Sequence, residues 1–214
     1  MSDTIGKDEL VAMLRGAVEQ VRANHEMLSK LDSFGGDGDH GTTMLRAMTL
    51  LEETVEKSAD APIKDLLSDI GWAVMGVDGG ATGPLFGMFF LGMSDPAEGK
   101  DAIDTALLAD MFESGLASVQ QQTKAKVGDK TIIDALVPGV EAMRKAAGEG
   151  LTVSDACRCA AEAAAQGAKS TEELKPRFGR AKNVADQSMG HADPGATSVS
   201  LVFKGFSEGI HANG

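Results

Sequence analysis

The hydrophobic pattern of the chain has a helical period. Apolar residues return at intervals of three and four along 7–30, 42–58, 63–77, 84–93, 102–122, 131–148, 153–168 and 194–210, which predicts eight helices, each with one face turned to a core. Strict apolar–polar alternation, the mark of a half-buried strand, is nearly absent. Between the helical stretches stand joints rich in glycine and polar residues: LDSFGGDGDHG (31–41), DGGATGP (78–84), SDPAEGKD (94–101), KVGDK (126–130), GEGLTVS (148–154) and SMGHADPG (188–195). Short joints fold consecutive helices back on one another, so the expected architecture is all-α, an up-and-down helical assembly. No repeat or low-complexity linker divides the chain, and one domain over 1–214 is expected.

Composition supports that reading. Aromatic residues make up 4% of the chain and tyrosine is missing, a usage suited to helix packing and not to β-sandwiches. Charge narrows the choice of partners. Against 20 Lys and Arg stand 32 Asp and Glu, a formal net charge of -12, and such a field repels nucleic acid and acidic membrane surfaces. An anionic ligand binds such a protein only where a metal or backbone N–H groups reverse the local field. No apolar run approaches the roughly 18 residues needed to cross a bilayer, and the start MSDTIGKDELVAM lacks a basic stretch followed by an apolar one, so a cytoplasmic location is expected. Cys157 and Cys159, two apart in a helical run, point away from each other and read as reduced structural thiols.

The chemistry concentrates at the joints. In Asp32-Ser33-Phe34-Gly35-Gly36-Asp37-Gly38-Asp39-His40-Gly41-Thr42-Thr43, three carboxylates within eight residues repel one another unless they face solvent or share a cation. Magnesium suits such an open acidic loop, because it takes a few carboxylate oxygens and completes its octahedron with water and phosphate oxygens. Thr42 and Thr43 are expected to open the next helix, where backbone N–H groups can meet a phosphate. Gly36, Gly38 and Gly41 match a dinucleotide fingerprint in spacing, but no strand precedes them and no βαβ unit surrounds them. A calcium loop is ruled out by Gly41 and Met48 at positions that would carry acidic ligands. The competing reading is a solvated acidic loop that caps a helix.

Three further joints add to this. Asp78-Gly79-Gly80-Ala81-Thr82-Gly83-Pro84 leads into an apolar helix with Pro84 expected at its first position, a helix start at which N–H groups and the Thr82 hydroxyl can hold an anion. Gly128-Asp129-Lys130-Thr131 imitates only the tail of a Walker A loop and precedes another helix. Near the C-terminus, Arg180 can grip phosphate oxygens in a two-pronged geometry or serve as a surface ion pair, and His191 and the Asp193-Pro194-Gly195 turn follow it.

Together, GDGDHGTTM (36–44), GGATGPLFGMFF (79–90), VGDKTIIDAL (127–136) and GRAKN…SMGHADPGATS (179–198) resemble, in order and over most of the chain, the nucleotide-binding L subunit of dihydroxyacetone kinases. The resemblance implies eight antiparallel helices in a barrel, with ATP or ADP held at one end by the interhelical loops. It implies two Mg²⁺ ions on Asp32, Asp37 and Asp39. It also implies nucleotide contacts from His40, Gly41, Thr42, Thr43, Ala81, Thr82, Ile132, Arg180, Asp193, Pro194 and Gly195, with Ile132 against the base. Relatives commonly carry serine in the Ala81-Thr82 place. Their ketose is held by a separate K subunit, so a partner is implied, and in one version a phosphotransferase-system protein rephosphorylates bound ADP. The reaction expected is phosphoryl transfer to a short-chain ketose such as dihydroxyacetone, by positioning and charge neutralisation. The alternative is a nucleotide-sensing module that docks on another protein without turnover.

Overall fold

The computed structural model describes residues 4–211, and their regular structure is almost entirely helical. The long helices are α1 (Lys7–Asp32), α2 (His40–Lys57), α3 (Ile63–Met75), α4 (Thr82–Ser94), α5 (Thr105–Gln122), α6 (Ile133–Gly148) and α7 (Val153–Ser170). The short α8 (Ala185–Ser188) and then α9 (Pro194–His211) follow. Each long helix packs on the next long one around a ring, and α9 closes it by lying against both α7 and α1. The eight predicted helical stretches are therefore present, as an up-and-down barrel.

The ring forms because each helix has one apolar face. In α1, Leu10, Met13, Leu14, Ala17, Val18, Val21 and Leu28 are buried, a spacing that keeps them on the inward side. α4 is apolar nearly all round, and its Phe89 joins Phe112 of α5 and Phe203 of α9, with ring centroids 5.7 and 6.1 Å from Phe89. These aromatic contacts pin opposite walls of the barrel together. At the closing seam the backbones nearly touch: a Cβ on Gly16 would lie 2.1 Å from the carbonyl oxygen of Gly205.

Several boundaries differ from the sequence expectation. α2 starts at His40 and α4 at Thr82, not at 42 and 84, so Pro84 stands at the third helical position, where its missing N–H still costs no intrahelical bond. α5 starts at Thr105 and not at 102, because β2 (Ile103–Asp104) pairs antiparallel with β1 (Thr4–Ile5) just before it.

Alternation around the ring decides where the joints lie. The α1–α2, α3–α4, α5–α6 and α7–α9 joints share one end, and with them come the N-termini of α2, α4, α6 and α9. The β1–β2 pair marks the opposite end. No helix among the described residues is long and apolar enough to cross a membrane.

Candidate functional site

Four helix N-termini aimed at one end of the barrel give that end a locally positive character inside an acidic protein. A cavity of about 300 Å³ opens there, at the lower edge of the range usual for small-molecule sites. Its wall takes Asp32, Asp37, Asp39 and His40 from the first joint, and Ala81 and Thr82 from the second. Ile132 comes from the third, and Arg180, Asp193, Pro194 and Gly195 from the fourth.

The first joint is built around Asp32. Its Oδ2 accepts the amide of Gly38 at 2.9 Å and that of His40 at 3.4 Å, which folds the glycine-rich segment back over the end of α1. Gly38 holds a positive φ of 78°, a conformation glycine adopts without a Cβ clash. The turn gathers Asp32, Asp37 and Asp39 so that one carboxylate oxygen of each lies within 4.8 Å of the others. Asp32 is half-buried and the other two are exposed. Such crowded negative charge calls for a counter-ion, and in this structure the Arg180 guanidinium contacts Asp37. The all-oxygen, all-carboxylate donor set fits a hard divalent cation such as magnesium.

His40 stands where three helix starts meet. It is buried, its Nε2 lies 2.7 Å from the Ser198 hydroxyl of α9, and its Nδ1 lies 3.2 Å from the Thr82 hydroxyl at the start of α4. Burial pushes its pKa down from the ordinary histidine value, while the charge of Asp32 and the Pro194 carbonyl act in the opposite direction.

The third and fourth joints are tied by a buried cation. Lys130, 4% exposed and at a positive φ of 58°, donates from Nζ to the carbonyls of Ser188 and His191, both at 2.8 Å. Burial lowers its pKa, and Asp193 and Glu172 offset part of that. Asp134 takes the amides of Gly128 and Thr131 at 2.6 and 2.7 Å, which shapes the turn before α6. Asp193 accepts the Ala196 amide at 2.8 Å and so caps α9. Burial, helped by the charge of Asp134, raises its pKa to about 7 against the pull of the Ala196 and Gly195 amides and of Lys130. His191 stacks on Phe34 with ring centroids 3.5 Å apart, a contact that joins the first and fourth joints across the cavity mouth.

Gly41, Thr42 and Thr43 are not on the cavity wall. Because α2 starts at His40, all three belong to its first turn. Gly41 faces α1, where a Cβ would come within 1.8 Å of the His25 carbonyl oxygen. Thr42 is exposed, and Thr43 is buried with its amide given to Asp39 O at 2.9 Å. Arg180 does line the cavity, and its guanidinium contacts Asp37 there. Sequence reasoning missed Lys130 and Ser198 as members of the site. Lys130 carried a faint signal, a lysine between an aspartate and a threonine at a helix start, whereas Ser198 lies in the middle of an ordinary amphipathic pattern. Cys157 and Cys159 are both free thiols, and burial pushes Cys157 up to about 12.

The fold and site together define an all-α barrel whose one mouth collects helix N-termini from all four joints of that end and acidic side chains from the first and the fourth. The chain belongs to the DAK2 domain family, whose model matches residues 35–208. It is 34% identical over 201 residues to the PEP-dependent dihydroxyacetone kinase ADP-binding subunit DhaL of Escherichia coli K12, covering 94% of this chain and 96% of that one. To the ADP-binding subunit DhaL of PEP-dependent dihydroxyacetone kinase 1 of Listeria innocua it is 36% identical over 200 residues, with 94% and 95% covered. In three dimensions it is similar to the dihydroxyacetone kinase of C. freundii in complex with AMP-PNP and Mg²⁺, with a TM-score of 0.73 and 26% identity. That likeness covers 93% of this chain but 33% of the larger kinase, so the chain spans about a third of it.

Proposed function

We propose that this chain is the ATP/ADP-binding subunit of a ketose kinase of the dihydroxyacetone type, a single nucleotide-binding unit that works with a separate ketose-binding K subunit. The observation that carries the reading is the carboxylate cluster of Asp32, Asp37 and Asp39 beside the starts of α2 and α4, on the wall of one cavity. An ADP-binding function in relatives that align over nearly their whole length supports it.

In this reading the three aspartates hold two Mg²⁺ ions, which when bound neutralise the polyphosphate and let it enter an acidic protein. His40, Gly41, Thr42 and Thr43 form the phosphate-side helix start, with Ala81 and Thr82 opposite. Gly41 and Thr42 contribute through the backbone of the first turn of α2, and Thr43, whose amide is given to Asp39 O, completes that turn behind the cavity wall. Ile132 lies against the base, and the turn Asp193-Pro194-Gly195 closes the nucleoside side. Arg180, on the same wall, would pair with phosphate oxygens of the nucleotide. No residue acts as a general base here. The chain positions the nucleotide and excludes water, and the acceptor hydroxyl comes from the partner.

The surface supports a partner at this mouth. Of the large apolar side chains that are exposed, Phe178 (37%) lines the cavity, Val127 (58%) lies in the α5–α6 joint, and Trp72 (64%) stands in the last turn of α3 beside the α3–α4 joint. Exposed apolar surface of this kind marks contact sites.

The test is reconstitution. The chain mixed with a K subunit, magnesium, a short-chain ketose and a phosphoryl donor, either ATP or PEP with the phosphotransferase proteins, is expected to yield ketose phosphate, with neither subunit active alone, and absence of product with both donors and any short-chain ketose would sink the proposal. The PEP-dependent relatives favour the version in which a phosphotransferase protein rephosphorylates bound ADP. Radiolabelled ADP that stays bound through many turnovers supports that version, and rapid exchange supports free ATP as donor.

A further inference from the structure

We infer that Ser198 is a positioning residue of the nucleotide site: it fixes which nitrogen of His40 carries the proton, and thereby makes the Thr82 hydroxyl an acceptor toward the cavity. Nothing in the proposed function assigns a role to Ser198, whose side chain stands on α9, 158 positions from His40.

The direction of the hydrogen-bond chain follows from its last member. The Ser198 hydroxyl lies 3.0 Å from the carbonyl oxygen of Pro194. A proline carbonyl only accepts, so the Ser198 proton points there. With that proton committed, the 2.7 Å contact between Ser198 Oγ and His40 Nε2 requires the histidine to donate, which places the ring proton on Nε2. His40 Nδ1 is then a bare lone pair, and the Thr82 hydroxyl 3.2 Å away supplies its own proton to it. The sequence of donors runs Thr82, His40, Ser198, Pro194, and it ties the starts of α4, α2 and α9 together.

The consequence falls on the ligand. Thr82 lines the cavity, and with its proton given to His40 it can only accept from what binds there. Its natural partner is a ligand group that carries hydrogen, such as a metal-bound water or a sugar hydroxyl, and not a bare phosphate oxygen. Reversal of the chain would turn Thr82 into a phosphate donor and point its own proton at the hydrogens of such a group. The geometry thus selects a hydrogen-bearing group of the metal–nucleotide complex over a bare phosphate oxygen at Thr82. This last step rests on the proposed nucleotide reading, whereas the proton's position on His40 does not.

The experiment separates the two. Long-range ¹H–¹⁵N correlation spectra of the ligand-free full chain, with the His40 signals assigned from a His40→Gln variant, are expected to show one neutral tautomer with the proton on Nε2. In Ser198→Ala the single tautomer is expected to give way to a mixture, and MgADP binding to weaken by about tenfold, the scale of one hydrogen bond left unmade. Ser198→Thr, which keeps the hydroxyl, is expected to restore both. A wild-type spectrum with the proton on Nδ1, or on both nitrogens, overturns the inference even if Ser198→Ala fails to fold. So does a folded Ser198→Ala protein that keeps the Nε2 tautomer, because a weakened affinity there reports packing alone. Failure of the wild-type chain to bind MgADP, with the Nε2 tautomer intact, counts against the nucleotide reading and not against the role of Ser198.

Discussion

The two ends of the barrel solve the same problem in opposite ways. At the end marked by the β1–β2 pair, helix starts close on themselves. Asp104 caps α5 through the Leu107 amide at 2.8 Å, Thr152 caps α7 through Asp155 N at 3.1 Å, and Glu9 returns to the Gly6 amide before α1 at 2.9 Å. Only α3, which follows Pro62, begins there without a side-chain cap. At the cavity end, Asp193 caps α9 through the Ala196 amide, but α2 follows Asp39 and α4 follows Ala81, and neither gains a hydrogen bond from the side chain of its N-cap residue. A helix start without its own cap keeps donors and a positive field available for a ligand. The starts of α2 and α4 are therefore open to an occupant, whereas most starts at the far end are closed for stability.

Perturbing each end in turn tests that division. The largest effect is expected from Asp37→Asn. It removes a carboxylate of the acidic cluster and should weaken MgADP binding by at least about a hundredfold, more than residues that merely orient metal ligands. The ligand-free thermal midpoint should hold or rise, since the repulsion within the cluster falls, and calorimetry with and without chelator measures the first effect. Next comes Gly41→Ala, which forces a methyl against the His25 carbonyl. A loss of about 1–3 kcal/mol in denaturant unfolding is expected, and equal stability would show that α1 and α2 are not so close. At the far end, Thr152→Ala should cost about 1 kcal/mol and leave the MgADP dissociation constant unchanged, and a coupled loss of affinity would break the contrast.

The smallest effect concerns pH. Burial holds the His40 pKa below its unfolded value of about 6.5, so the folded chain binds fewer protons at that group than the unfolded chain. Stability from this source is present above that pH and falls as pH drops below it. The thermal midpoint of the wild type should therefore decline more between pH 7 and 5 than that of His40→Gln.

Periodicity was enough to find the helices, because a ring of amphipathic segments writes its inward face into the spacing of residues such as Leu10, Met13, Leu14 and Ala17. The grouping of Asp32, Thr82, Ile132 and Asp193 in one site came from the family resemblance of the joints and not from that spacing. Helix starts were less legible. Ile103 and Asp104 continue the pattern of α5, yet they pair with Thr4 and Ile5, and that pairing depends on a partner about a hundred residues away. The same limit hid Ser198 and Lys130. What Ser198 does depends on His40 of a helix at the other extreme of the chain, and Lys130 acts on two carbonyls of a joint nearly sixty residues further on. Local spacing carries no record of such meetings.

The glycine seam between α1 and α9 sets the order in which the molecule can be completed. Because the helices that shut the circle are α1 and α9, α1 has no permanent neighbour on that side until α9 has been synthesised, and synthesis at about 5–20 residues per second makes this a wait of many seconds. During that interval the apolar lining stays open along one edge. A methyl added at Gly16, with the Gly205 carbonyl 2.1 Å from where it would stand, would prolong the exposure, so a nascent chain bearing it is expected to be lost to aggregation sooner than its final stability alone would suggest.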